Sequence, residues 1–287
     1  MFNIVITGAS RGVGLATAVE LARAGHQVVA TMRNPPGSPE LAYQAARENL
    51  PICIETMDVD SDESVKQAFC RILAQGPVDV LVNNAGIERM GAIEETPLAD
   101  FRTCMETNYF GCIRCIQAVM RPMRERGSGA IINVTSVGGK ISLSPMGPYS
   151  ASKFALEALS EALAQELRAF GVRVAIVEPG IIETRMARNI EGLEASKVYP
   201  QVRRCTALYE GVLAAGAGQP QLVGQKVREI VESGTWQLRH PVGPDAEPFL
   251  TWRRSMNDEN WVQWSAQSDS DWLQSVKADF GMDLKLD

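Results

Sequence analysis

The sequence predicts an α/β fold in which a parallel β-sheet is covered by helices on both faces. Three observations carry that reading. Over the first 180 residues, short β-branched runs alternate with helical segments, the pattern of repeated strand–helix–strand units. A glycine-rich turn, Thr7-Gly-Ala-Ser-Arg-Gly-Val-Gly14, follows the first run and opens the first helical stretch. The chain has 287 residues, 45% hydrophobic and 22% charged, enough apolar material for a sizeable core. Together they point to a doubly wound sheet of Rossmann type, with residues 1–287 expected to form a single domain.

Each element has a local signal. Asn3-Ile-Val-Ile-Thr7 reads as the first strand, followed by the glycine turn and a helix through about Arg23. Gln27-Val-Val-Ala-Thr-Met32 reads as the second strand, Pro51-Ile-Cys-Ile-Glu-Thr-Met57 as the third and Val78-Asp-Val-Leu-Val82 as the fourth. Ala130-Ile-Ile-Asn-Val134 is the fifth and Val172-Arg-Val-Ala-Ile-Val177 the sixth. Helices are expected near 61–75, 98–125 and 149–169, then at 219–233 before a short last strand, Trp236-Gln-Leu-Arg-His240. Residues 184–218 show no clear period and are rich in alanine and glycine from Gly211 to Gly218. They are expected to be an irregular insertion acting as a substrate lid beside the carboxyl ends of the strands. The extension from about 244 carries Trp252, Trp261 and Trp264 and should pack, and Asp269-Ser-Asp-Trp272 reads as a helix start with acidic residues in its first turn.

Composition narrows the function classes. A net charge of −6 gives no reason to expect binding to nucleic acid or to an acidic membrane surface. No apolar run approaches the roughly 20 residues that span a bilayer. The glycine turn begins at Thr7, so no signal peptide is expected and the protein should be cytoplasmic. Cys112-Ile-Arg-Cys115 has C-x-x-C form but lies in a helical pattern, without a second ligand pair or a nearby histidine. No metal site is expected, and the six cysteines should be reduced, buried thiols.

Gly8, Gly12 and Gly14, spaced G-x-x-x-G-x-G, let a turn tighten so that a pyrophosphate approaches backbone and helix N-terminus, with Ser10, Arg11 and Val13 completing the cradle. An NAD site usually carries an Asp or Glu at the end of the second strand, for the adenine ribose. Here Thr31-Met32-Arg33 stands there, and Arg11 and Arg33 offer two guanidiniums suited to a 2′-phosphate. The expected cofactor is therefore NADP(H). Asp58 and Val59 suit the adenine amino group and ring, and Asn84, Ala85 and Gly86 the adenine-ribose side of the pocket. Asp58 also reads as a loop cap, and the asparagine pair as a sheet-edge turn.

Tyr149-Ser-Ala-Ser-Lys153 supplies the candidate chemistry. A tyrosine and a lysine four apart share one helix face, about one turn apart. The ammonium should favour the phenolate and lower the tyrosine's pKa, so that it trades a proton with a carbonyl or alcohol oxygen. Ser136, thirteen residues upstream, could hold that oxygen. Met90, Leu143, Met146 and Met186 flank these motifs and, with Ile87, form an apolar candidate substrate pocket, although core packing explains Ile87 and Leu143 equally well.

These motifs resemble those of the short-chain dehydrogenase/reductase family. Thr7–Gly14, Asp58-Val59, Asn83–Gly86, Asn108, Ser136, Tyr149-x-x-x-Lys153 and Pro179-Gly180-x-x-x-Thr184 occur in the family's order and cover roughly residues 1–190. The resemblance implies that Ser136 polarises the substrate oxygen and that Tyr149 is the general acid/base. Lys153 would tune Tyr149 and bond the nicotinamide ribose, Asn108 would hold a proton-relaying water, and Ile182 and Thr184 would hold the carboxamide. Thr135–Gly139, Tyr149–Glu157 and Ala30–Arg33 are similar to the branch containing 17-beta-hydroxysteroid and retinol dehydrogenases, implying a hydrophobic steroid-, retinoid- or aromatic-ketone-like substrate. Family members commonly pair through the segments at 98–125 and 149–169, so a homodimer or homotetramer is expected. The chain departs from much of the family in its longer, Trp-bearing tail. A dinucleotide-binding sensor or scaffold is the alternative, but a mere binder has no need of the full Ser-Tyr-Lys set. Epimerases and dehydratases of this fold tend to be longer, with another glycine spacing.

Overall fold

The computed structural model describes residues 1–192 and 196–286. The strands are β1 (Asn3–Ile6), β2 (Gln27–Met32), β3 (Ile52–Thr56), β4 (Val80–Asn83), β5 (Gly129–Val134), β6 (Val172–Pro179) and β7 (Arg239–Val242). All pair in parallel, in the order β3-β2-β1-β4-β5-β6-β7. The direction of winding reverses between β1 and β4, and a doubly wound sheet opens its ligand crevice at the carboxyl ends of such strands. The expected α/β class is observed.

Strand side chains point alternately to the two faces, and this alternation splits the core in two. Ile4, Ile6, Val80, Val82, Ala130 and Ile132 face one side, where they meet α1 (Gly12–Arg23) and α9 (Pro220–Ser233). Val5, Leu81, Ile131 and Val174 face the other, against α3 (Asp62–Gln75), α5 (Gly111–Arg126) and α6 (Gly147–Arg168). Each aliphatic side chain buried in this way contributes roughly 1.5–3 kcal/mol. Starts are specified locally: Ser61 caps α3 by accepting from the Ser64 N–H at 3.2 Å, and Asp62 and Glu63 occupy its positive end. Pro148 in the first turn of α6 sets its start, with Tyr149 in that same turn and Lys153 one turn further on.

Four expectations about the secondary-structure elements need correction. A helix, α2 (Glu40–Glu48), stands between β2 and β3; only Leu41 of it is fully buried, so it leaves little hydrophobic period to read. The stretch at 98–125 is not one regular helix: α4 (Leu98–Met105) passes through a π-helical turn, Glu106–Phe110, before α5. The last strand lies two to three residues later than expected, because the Trp236 ring leaves the ladder to stack under the Arg168 guanidinium, 3.8 Å from its centroid. Finally, 184–218 is mostly ordered as α7 (Arg185–Arg188), a 3₁₀ turn and the four-turn α8 (Gln201–Gly216). Residues 193–195 of the expected lid lie outside the described residues.

The extension packs as expected, as α10 (Ala246–Arg254), α11 (Asp258–Ala266) and α12 (Asp269–Phe280). Trp252, Trp264 and Trp272 join Leu208 of α8 in one apolar cluster, with edge-on ring contacts at 4.9 and 5.8 Å. Asp279 accepts from the indole N–H of both Trp264 (2.9 Å) and Trp252 (3.2 Å), so neither polar tip is stranded. The buried Arg204 of α8 holds the same unit by donating to Asp269 Oδ1 at 2.7 Å and to the carbonyl of Gln267 at 2.9 Å. Four cysteines are buried, but Cys53 and Cys70 are exposed, contrary to expectation; all six are free thiols.

Helices α1 and α9 pack closely enough that a Cβ on Gly224 would lie 3.1 Å from the Ala16 carbonyl oxygen and 3.2 Å from Thr17 Cα. Both neighbours are backbone and cannot turn aside. Gly224→Leu should therefore lower stability by about 1–3 kcal/mol through overpacking. Urea denaturation checks this, and an unchanged midpoint would contradict the close-packed account.

Candidate active site

The glycine turn leaves β1 and meets the end of β4. The Thr7 hydroxyl accepts from the backbone N–H of both Asn84 (3.0 Å) and Ala85 (2.9 Å), locking the two strand ends together. A Cβ on Gly8, whose φ is +67°, would stand 2.7 Å from Ala85 Cα; one on Gly14 would stand 2.4 Å from Asn84 Nδ2. These two glycines are thus demanded first by the seam between turn and sheet. Helix α1 starts with no side-chain cap and no acidic residue in its first turn. Its leading N–H groups, in Gly12, Val13 and Gly14, border the cavity, a setting suited to an anion.

On the other side of the switch point, Ser136 follows β5, and Tyr149 and Lys153 project from α6. Ser136 Oγ accepts from the Gly138 N–H at 3.0 Å and donates to the Pro179 carbonyl at 3.4 Å. Lys153 is buried, donates from Nζ to the Val134 carbonyl at 2.9 Å, and stands 5.8 Å from the centroid of the Tyr149 ring. Burial pushes the Tyr149 hydroxyl above its ordinary pKa, with the charge of Glu88 adding and the Ser136 hydroxyl opposing. Burial also lowers the Lys153 ammonium. Burial thus acts against the lowering expected from the lysine, in the direction that keeps Tyr149 a protonated hydroxyl.

Asn108 sits in the π turn, fully buried and outside the cavity lining. Its Oδ1 accepts from the Ile87 N–H at 2.8 Å, while Nδ2 donates to the Ile87 carbonyl and to Ser152 Oγ, both at 2.9 Å. Ser152 Oγ in turn donates to the Tyr149 carbonyl at 2.6 Å. In this structure the side chain is a clamp between the Asn84–Gly86 turn and α6, with both amide hydrogens already used. A π turn at a site of this kind fits the general tendency of such bulges to mark functional positions.

The glycine turn from Gly8, the Asn84–Gly86 turn, Ser136, Tyr149 and Lys153 border one cavity of about 680 Å³, which Asn108 does not line. It gathers the glycine turn with Ser10, then Arg33, then Asp58 and Val59, then Asn84, Ala85 and Gly86. Ser136, Tyr149 and Lys153 close one side, with Pro179, Gly180, Ile182, Thr184 and Met186 across from the turn in sequence. Every residue expected to hold the cofactor is present. Arg11 and Arg33 are exposed, and neither guanidinium has a hydrogen bond or ion pair among the described residues. Asp58 does serve its own loop, accepting from the Asp60 N–H at 3.2 Å. Thr184 caps α7 by accepting from the Ala187 N–H at 3.3 Å. An anion-ready helix end and a glycine seam fit a dinucleotide's pyrophosphate. Among the described residues no group of three metal-ligating side chains occurs, and no helix is long and apolar enough to cross a membrane.

The expected substrate residues divide. Leu143 and Met146 line a smaller apolar cavity of about 60 Å³, which shares Ser136, Gly180, Ile181 and Tyr209 with the large one. Met90 lines neither and packs behind, with Met146, Tyr149 and Tyr209. The sequence reading missed Tyr209 of α8, Phe249 and Trp252 of α10, and Glu88, all of which border one cavity or both. It also missed Asp245, whose Oδ2 accepts from the Ile181 N–H at 2.7 Å and so fixes the loop after β6. For Tyr209 a signal existed, since Val202, Cys205, Leu208 and Val212 follow a helical period.

A parallel sheet with a glycine turn at its switch point, and a serine, tyrosine and lysine facing the same cavity, defines a dinucleotide-binding oxidoreductase. The comparisons agree: the family described as short chain dehydrogenase matches residues 3–194, and the chain belongs to it. Members of that family bind a nicotinamide dinucleotide and act on CH–OH groups. Retinol dehydrogenase 8 of Homo sapiens is 37% identical over 263 residues, covering 87% of this chain and 84% of that protein. The crystal structure of a short-chain dehydrogenase from Streptomyces avermitilis is 33% identical with a TM-score of 0.79, covering 92% of this chain and 97% of that one. A gluconate 5-dehydrogenase from Burkholderia cenocepacia J2315, solved with NADP and tartrate, is 27% identical with a TM-score of 0.74, covering 87% and 95%.

Asn108→Ala should leave the half-buried Ile87 N–H and carbonyl without their side-chain partner, with a total cost on the order of 1–3 kcal/mol. Thermal or urea unfolding reads that loss. If stability is unchanged, the clamp is not what holds the Asn84–Gly86 turn.

Proposed function

We propose that the protein is an NADP(H)-dependent carbonyl reductase that interconverts an apolar ketone or aldehyde with its alcohol. The observation that carries this reading is the meeting of Ser136, Tyr149 and Lys153 with the unpaired Arg11 and Arg33 around one cavity. Bound in that cavity, the nicotinamide would supply or accept the hydride. Ser136 Oγ and the Tyr149 hydroxyl bond the substrate oxygen and fix its distance from the nicotinamide. Tyr149, held protonated by burial, gives its proton to that oxygen as negative charge develops there. Lys153, turned toward the cavity beside Gly86, is the group proposed to hold the nicotinamide ribose and to stabilise the tyrosinate left behind. Asn108 is a positioning residue that keeps the turn and α6 in register.

Preference for NADP(H) is supported by the chemistry at the end of β2, where Arg33 stands and no carboxylate is available for a ribose hydroxyl. The relative solved with NADP is consistent with it. An apolar substrate is supported by the second cavity, walled by Leu143, Met146, Phe249 and Trp252, and by the likeness to retinol dehydrogenase 8. Pairing of subunits through α5 and α6 is proposed with it. Phe110 and Phe154, 44% and 42% exposed on that side of the chain, would be covered, and sedimentation should give twice or four times the chain mass.

Tyr149→Phe should reduce NADPH-dependent ketone turnover by roughly 10²–10⁴-fold while leaving NADPH binding intact. Stopped-flow turnover with parallel fluorescence titration checks both, and near-normal turnover would remove Tyr149 from the proton step. Arg33→Asp should weaken NADPH roughly ten- to hundredfold, the worth of a charge-assisted bond, with little loss for NADH. Equal loss for both cofactors would contradict a 2′-phosphate contact.

A further inference from the structure

Immediately after the Asn84–Gly86 turn, at Ile87 and Glu88, the chain places a carboxyl group against the reacting residues. Glu88 is half-buried and borders the large cavity together with Tyr149, Lys153 and Tyr209. Its neighbours offer it no counter-ion. The Lys153 ammonium donates to the Val134 carbonyl and lies beyond ion-pair distance of Glu88, and Arg89 turns away to Asp100 at 3.3 Å. No side-chain hydrogen bond or ion pair reaches the Glu88 carboxyl among the described residues. Its charge is nevertheless felt by Tyr149 on α6 and by Cys205 and Tyr209 on α8. Tyr209 and Ser136 border both cavities, while Glu88 borders the large one, which the apolar chamber of Leu143, Met146, Phe249 and Trp252 adjoins.

We propose that Glu88 determines substrate specificity by receiving an ammonium group that an apolar ketone carries within a few bonds of its carbonyl. The inference rests on the reading of Ser136, Tyr149 and Lys153 as a carbonyl-reducing set. A half-buried carboxylate without a partner is disfavoured, and here burial pushes its pKa up to about 8, with Lys153 only partly opposing. A cation arriving with the substrate restores the ionised form and makes a charge-assisted bond that the empty-handed carboxyl lacks. The apolar remainder of the ketone enters the smaller cavity, and the ammonium sits on the Glu88 side of the reacting carbon.

The test uses three phenyl ketones of nearly equal size: 2-amino-1-phenylethanone, 2-hydroxy-1-phenylethanone and 1-phenylpropan-1-one. Values of kcat/KM with NADPH are compared for the full chain, Glu88→Gln and Glu88→Leu, at a pH where the amine is protonated. The native protein should favour the amino ketone over the plain ketone by about tenfold or more, and both variants should lose that ratio. Glu88→Gln keeps shape and hydrogen bonding, so it serves even if Glu88→Leu folds poorly. An equal ratio in native protein and variants overturns the proposal, and so does a preference for the hydroxy ketone over the amino ketone. Calorimetry with 2-amino-1-phenylethanol and 1-phenylpropan-1-ol in the presence of NADP⁺ separates the two readings. Amine preference that depends on Glu88, with no turnover of any ketone, supports the pocket and sinks the reduction reading. Turnover of all three without amine preference does the opposite.

Discussion

The site depends on one amide side chain. Asn108 answers both the N–H and the carbonyl of Ile87 and adds a bond to Ser152, joining the end of β4, the π turn and the first turns of α6. An amide is the one side chain whose geometry meets a peptide group in this reciprocal way. The π turn is what aims it, since the extra residue swings Asn108 inward at a point where a regular helix would present another face. A second buried ladder runs parallel to it: Asn83 donates to Asn133, and Asn133 to Ser160 of α6, each at 2.8 Å. Buried polar chains of this kind are rigid because displacement orphans a paired group, although Asn83 Oδ1 itself has no partner among the described residues. They hold α6 to the sheet, and through α6 they hold Tyr149 and Lys153.

Much of this was legible in the sequence because it is written in local terms. Strands such as Ile4–Ile6 and Ile131–Val134 announce themselves through β-branched runs, and the glycine spacing marks the turn that must pass close to Ala85 and Asn84. Tyr149 and Lys153 share a helix face by spacing alone. What stayed hidden is decided by tertiary contact. The period of α8 is diluted by Ala214 to Gly216 at its end, and α2 has a single fully buried residue to betray it. The effect of Lys153 on Tyr149 was read from spacing, yet desolvation of both groups is set by everything packed around them. Glu88 has no pattern at all: one acidic residue beside a motif acquires meaning only when its lack of a partner is seen.

The glycines illustrate how one residue type answers to two demands. Gly8 and Gly14 leave room for the neighbouring strand end, and the same absence of side chains leaves the α1 amides open toward the cavity. Tight packing within the sheet and access for a phosphate group are thus satisfied by a single stretch of backbone. The C-terminal extension works in the same double way. Its tryptophans bury one another against α8, and in doing so they bring Phe249 and Trp252 to the wall of the smaller cavity.

The bond from the Ile181 N–H to Asp245 spans 64 residues of sequence. On a ribosome, the loop that follows β6 is made long before its acceptor exists. The sheet from β1 to β6 can assemble on the emerging chain, but this amide has no partner until the segment after β7 has left the exit tunnel. The geometry of this loop is thereby tied to synthesis of the segment after β7, and a chain interrupted between Gly180 and Asp245 carries Ser136, Tyr149 and Lys153 without that bond.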